Sequence, residues 1–176
     1  DEPFYVPMFF EEFLRRRGSE VVGAVITETL RGWSAFLDEM LRRFSLYGLK
    51  AFTIYLIKYL LYWAVRTVYR YPPGIGRSLP SLFKDYGIDV YRCTSVNDSE
   101  TERWFRIKHP DVLLAIASPH VFKKRVLEIP TFGCLNVHNS LLPRHRGLQS
   151  LFWAMLEGDA ETGVTVHLMD SGIDTG

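Results

Sequence analysis

The chain alternates short β-branched apolar runs with longer stretches whose apolar residues recur every third or fourth position. The first pattern reads as strand buried in a parallel sheet, the second as amphipathic helix. Residues 1–17 read as a loop entering a helix, with Pro7 in its first turn and Phe9, Phe10, Phe13 and Leu14 on one face. Arg15, Arg16 and Arg17 then complement the helix dipole, and Gly18 marks the stop. Residues 20–27 (Glu-Val-Val-Gly-Ala-Val-Ile-Thr) read as a buried parallel strand. Later helices are expected over 78–86, stopped by Gly87, and over 99–107, capped by Asn97 or Asp98. Two more are expected over 123–127 and 149–157, the last with Leu151, Phe152, Met155 and Leu156 inward. Strands are expected over 88–92, 111–118, 132–137 and 162–169, the last alternating through Val164, Val166 and Leu168. Strands separated by helices predict an α/β class with a doubly wound, mostly parallel sheet.

Residues 33–71 depart from this rhythm. Phe36, Leu37, Met40, Leu41 and Phe44 form one helical stripe, residues 45–48 break it, and 49–71 is apolar and aromatic throughout apart from Lys50, Lys58, Arg66 and Arg70. The longest charge-free runs, 51–57 and 59–65, fall far short of the ~20 residues that span a bilayer. This predicts a helical insertion. Two covers suit it: the domain itself or a second subunit of a homo-dimer, or an anionic lipid surface met as a peripheral membrane contact through 49–71.

With 176 residues and 47% of them hydrophobic, the chain can bury one sizeable core. A net charge of +1 supplies no field to steer it onto nucleic acid or lipid. Cys93 and Cys134 are isolated, which predicts two buried thiols in a reducing, cytoplasmic setting. The first residues lack the long apolar core of a secretory signal. No strand leads into the glycines of 72–76, which argues against a nicotinamide dehydrogenase.

The candidate chemistry lies in the last third. Asn136 and His138 stand two apart, so an extended backbone puts both on one face with Val137 turned away. An amide and a protonated imidazole there can hold an oxyanion. Asp174 follows in a Gly-Ile-Asp-Thr-Gly loop, and a carboxylate near an imidazole favours its charged, donating form. The set suits acyl transfer through a tetrahedral intermediate. Ser140 more naturally fixes the turn than attacks, and His167 reads as a structural residue on its strand. The histidines show no metal-ligand spacing, so no metal is expected. The basic loop Arg144-His145-Arg146 is either solvated or contacts an anion.

The run Asn136-x-His138-x-Ser140-Leu141-Leu142-Pro143, with Asp174 a little under forty residues later, resembles the folate-dependent formyltransferases. That group comprises the methionyl-tRNA, glycinamide-ribonucleotide and nucleotide-sugar N-formyltransferases. The resemblance covers most of the chain, with 33–71 as the departure. It implies a Rossmann-like catalytic domain over 1–176, trimmed at both ends, with sequence before Asp1 and after Gly176. It implies a 10-formyltetrahydrofolate donor and Asn136, His138 and Asp174 as catalytic residues. His120, Val121 and Phe122, in the loop after the strand at 111–118, would hold the pterin through backbone groups and packing, aided by Asp170 and Ser171. Ser140, Arg144 and Arg146 would contact the acceptor. The leading expectation is a small-molecule primary amine, such as the amino sugar of a nucleotide sugar. The alternative is methionyl-tRNA, and nucleic acid is a partner only in that case. A reading from another class is a membrane-peripheral or scaffolding protein with an inactive site.

Overall fold

The computed structural model describes residues 5–28 and 78–176, together with residues 37, 38, 40, 41, 44, 45, 48–50, 52–54, 56, 57, 60, 61 and 64. Its contacts divide into two units, Asp1–Gly18 with Glu28–Gly87, and Ser19–Thr27 with Ile88–Gly176.

In the first unit, α1 (Tyr5–Arg17) packs on α2 (Leu79–Asp85). Leu14, Leu82 and Phe83 are buried, and the Phe10 and Phe83 rings meet edge-on at 5.1 Å. Ser78 caps α2 by accepting from the Ser81 amide. Arg15 and Arg16 donate to Glu12 and hold its carboxyl down to about 2. Every described position between 37 and 64 is helical. Ser45 and Gly48 are helical too, Gly48 with a left-handed backbone at φ +68, and residues 46 and 47 of the expected break lie outside the described residues. Leu41, Leu49, Ile57, Leu60 and Leu61 are more than half exposed. Much of 49–71 lies outside the described residues, including Lys58, Arg66 and Arg70. Among the described residues no helix is long and apolar enough to cross a membrane.

The second unit holds five strands. β1 (Ala24–Thr27) pairs in parallel with β2 (Val90–Cys93). β1 is shorter than expected and its four residues are only partly buried, because β2 is its one paired neighbour among the described residues. β3 (Leu113–Ile116) runs parallel to β4 (Cys134–His138), and β5 (Thr165–Leu168) closes the sheet antiparallel to β4. The fold is the mostly parallel, Rossmann-like α/β arrangement with flanking helices. α3 (Ser99–Lys108) begins at Asp98, whose side chain accepts from the Thr101 amide at 2.6 Å. α4 (Lys124–Leu127) follows β3, and α5 (Ser150–Leu156) follows β4. The core joins Val96, Phe105, Ala115, Phe122, Val126 and Cys134, with Val25, Leu113 and Met169 packed against it.

One inward face was misplaced. Leu151, Met155 and Leu156 are exposed, and α5 instead buries Ser150 and Ala154. Small residues one turn apart let the helix approach closely, and its large apolar side chains then face away from the contact. Val164, just before β5, and Val166 and Leu168 on it are exposed, so it is Thr165 and His167 that turn inward. Cys93 and Cys134 are free and buried, and burial pushes the Cys134 thiol up to about 11.

Phe105→Ala should cost about 3–5 kcal/mol in urea unfolding, the usual range for emptying an aromatic site in a core. Native protein at pH 8 should leave Cys134 unalkylated by iodoacetamide, read by mass spectrometry, while urea-unfolded protein should be labelled.

Candidate functional site

β4 ends at the site. Its residues alternate faces, and the antiparallel register sets Asn136 opposite His167 and His138 opposite Thr165. The loop after β4 turns back over the strand end. Ser140, fully buried, donates to the Arg144 carbonyl at 2.8 Å, and Thr165 donates to the Ser140 carbonyl at 2.7 Å. The Leu142 amide donates to Thr165 at 3.1 Å, and the Leu142–Pro143 peptide is cis. Ser140 is thus the turn-fixing residue that the sequence suggested.

Asp174 arrives from the loop after β5 with φ +49, a left-handed conformation that aspartate tolerates better than most residues. Its carboxylate gathers the site. Oδ1 accepts from Asn136 Nδ2 at 3.0 Å, and Oδ2 accepts from the Gly147 amide at 2.7 Å. Gly147 has φ +82, which suits glycine and turns its N–H onto the acid. His138 Nδ1 lies 3.4 Å from Oδ2, with both side chains largely buried. On the other side of the ring, His138 Nε2 donates to the His145 carbonyl at 2.9 Å. Asn136 and His138 therefore do share a face, and both meet Asp174.

His167 belongs to the site, although it reads as structural from the sequence. Its Nε2 is 3.3 Å from Asn136 Nδ2 and 3.5 Å from Asp174 Oδ1, and its Nδ1 donates to the Leu168 carbonyl. With Nδ1 carrying the proton, Nε2 accepts, so the Asn136 amide gives one proton to Asp174 and the other to His167. The usable signal was strand alternation. With Val164, Val166 and Leu168 on one face, His167 must lie on the other.

The remaining candidates divide. Val121 is exposed in the loop after β3, while Phe122 is buried in the core. Asn97 braces this loop, donating to the Val121 carbonyl at 2.9 Å and accepting from the Lys123 amide at 2.8 Å. His120 Nε2 is buried without a hydrogen-bond partner among the described residues, and its backbone amide donates to Ser118. Asp170 is exposed and bonds back onto its own loop. It accepts from Thr175 Oγ1 at 2.5 Å and the Gly172 amide at 2.8 Å, and these donors hold its carboxyl below the usual range. Asp170 thereby shapes the turn that presents Asp174, and Ser171 is exposed beside it. Arg144 is engaged internally, donating to Asp159 and lying 3.7 Å from Glu157, whereas Arg146 is exposed.

The structure also assembles a group that sequence spacing does not show. His145, Glu157 and Asp159 bring ligand-capable atoms within 4.8 Å of one another. Arg144 contacts both carboxylates and supplies the positive charge there, so the group works as a clamp on the loop.

An α/β sheet with an amide, an imidazole and an acid converging at its strand ends has a geometry suited to group transfer. Residues 75–176 match the family model described as Formyl transferase. The chain belongs to that family. It is 46% identical over 110 residues to a methionyl-tRNA formyltransferase of Marinobacter nauticus, covering 60% of this chain and 35% of that protein. It is 44% identical over 95 residues to one of Magnetococcus marinus, covering 54% and 30%. The chain thus spans about a third of the length of the curated relatives it matches. Among solved structures, a phosphoribosylglycinamide formyltransferase from Bacillus halodurans superposes with a TM-score of 0.51 at 24% identity, covering 60% of this chain and 57% of that one. One from Streptococcus pneumoniae gives 0.50 at 21%, covering 56% and 58%. These two structures support the fold.

Removing the acid should expose its donors. In Asp174→Ala the Gly147 amide loses a charged acceptor, and its hydrogen exchange should quicken by about tenfold or more.

Proposed function

We propose that the chain carries the catalytic site of an enzyme that transfers a formyl group from 10-formyltetrahydrofolate to a primary amine. The observation that carries this reading is the meeting of Asn136, His138 and Gly147 on the one carboxylate of Asp174. The 117–123 loop beside it suits a flat donor. Val121 is exposed there, and the buried His120 Nε2 has no hydrogen-bond partner among the described residues. His120, Val121 and Phe122 would hold the donor through backbone and packing, with Ser171 near the rim.

The donor supplies the formyl group, and the chain's residues manage charge and protons around it. As the amine adds, negative charge develops on the formyl oxygen. Asn136 meets it with the amide proton now given to His167, the longer of its two bonds, and keeps the bond to Asp174. His138 keeps Nε2 on the His145 carbonyl and offers Nδ1, whose contact with Asp174 is loose at 3.4 Å. One such donor is typically worth about 10²–10³ in rate. Asp174 holds both groups in place and takes part in moving the proton from the attacking amine to the leaving nitrogen.

For the acceptor we infer the amine of methionyl-tRNA. The first curated relatives, at 37–46% identity, are all methionyl-tRNA formyltransferases. The amino-sugar acceptor favoured from the sequence has no comparable support. Arg146 is exposed and available to an anion such as an RNA phosphate.

The test supplies the full-length protein with 10-formyltetrahydrofolate and, separately, initiator methionyl-tRNA, glycinamide ribonucleotide and nucleotide amino sugars, reading tetrahydrofolate release. Formylation of the tRNA is expected, with kcat lowered about 10²–10³-fold in Asn136→Ala or His138→Ala. Preference for a sugar amine would overturn the acceptor. Absence of transfer to any of them, with cellular function retained in His138→Ala, would favour the scaffolding alternative.

A further inference from the structure

Asp159 lies beyond α5, outside the group that gathers on Asp174, yet two short contacts connect it to His138. Its backbone amide donates to the Ala154 carbonyl at 3.0 Å, which fixes it to the end of a helix whose Ala154 is buried. Its Oδ2 accepts from His145 Nε2 at 2.7 Å, and both side chains are about nine-tenths buried, at 6% and 10% exposure. Arg144 donates to its Oδ1. Neighbouring residues of one loop are thus held by a single carboxylate. The held loop then presents the His145 carbonyl to His138 Nε2 at 2.9 Å and to Ser140 Oγ at 3.4 Å. His145 adopts φ +52, a backbone that non-glycine residues take only when something else secures it. The buried bond to Asp159 is what secures it.

We propose that Asp159 is a positioning residue of the formyl-transfer site, acting through His145 to hold the carbonyl that orients the His138 ring. The inference rests on the reading of His138 as a catalytic group. A carbonyl can only accept, so this contact places a proton on Nε2 and leaves Nδ1 as the nitrogen beside Asp174. Without the clamp the 144–146 backbone relaxes, the carbonyl swings away, and the ring loses its fixed rotation. The folate-binding loop after β3 is untouched, so the loss falls on turnover and spares binding of the donor.

The experiment compares Asp159→Ala, His145→Leu and His145→Asn in the full-length protein. Each is read by kcat, by KM for 10-formyltetrahydrofolate and by the ring 15N signals of His138. Asp159→Ala and His145→Leu should lower kcat about 10–100-fold, as expected for a small misplacement of a reacting group, with KM within about twofold. The His138 Nε2 signal should shift in both as its hydrogen bond to the His145 carbonyl is lost. His145→Asn tolerates the left-handed backbone and keeps a donor for Asp159, so it should restore kcat to within about threefold of the parent. If Asp159→Ala does not fold, His145→Leu, which leaves Asp159 with Arg144, decides in its place. Folded variants with unchanged kcat and unchanged His138 signals would overturn the proposal. A parent protein that transfers no formyl group would remove the assigned function, and the His138 signals would still show whether the clamp sets the ring.

Discussion

The second unit of this chain is arranged around one partly buried carboxylate. Asp174 accepts from a backbone amide and a side-chain amide and faces an imidazole, and these three come from different positions along the chain. A carboxylate withdrawn from water is tolerated when donors replace the water it gives up. Gly147 and Asn136 provide that replacement directly, and Asp170 shapes the turn that aims Asp174 at them. The fold supplies the rest. β4 sets amide and imidazole two residues apart, and β5 closes over them so that the following loop delivers the acid.

Around this centre lies a second tier of polar contacts, few of which touch the centre itself. Ser140, Thr165 and the Leu142 amide knit the turn after β4 to the neighbouring strand. Ser150 donates to the Asn139 carbonyl at 2.9 Å and fastens the start of α5 to the same turn. Asn97 does comparable work on the loop after β3, with one end of its amide on each side of that loop. Each bond is modest alone, about 1 kcal/mol net. Together they convert loops at the strand ends into surfaces with fixed geometry, which a group-transfer site requires.

The sequence was most legible where one period dominated. The strand around 113–116, the helix capped by Asp98 and the order of strand and helix from residue 78 onward all follow from apolar spacing and cap chemistry. The positions of Asn136, His138 and Asp174 were legible because a motif and a long spacing agreed. The buried face of α5 was not, since pattern alone cannot tell a large apolar residue turned inward from one left outside when the close contact is made by Ser150 and Ala154. His167 was missed for a related reason. A histidine between valines reads as a spacer until the partner strand is known, and only the pairing with β4 brings it to Asn136. The clamp on His145 joins residues of a loop and a helix end, and no periodicity reports that meeting.

The β4–β5 pairing also limits which lesions the gene can tolerate. Side chains on a strand alternate, so a slip of β5 by one residue would set Val166 or Leu168 against Asn136 and send His167 outward. A point substitution on the outer side of β5 leaves that pairing intact. A codon deleted between α5 and β5 need not, unless the 157–164 connection absorbs the missing length. Such deletions would silence the site while leaving every one of its residues in place.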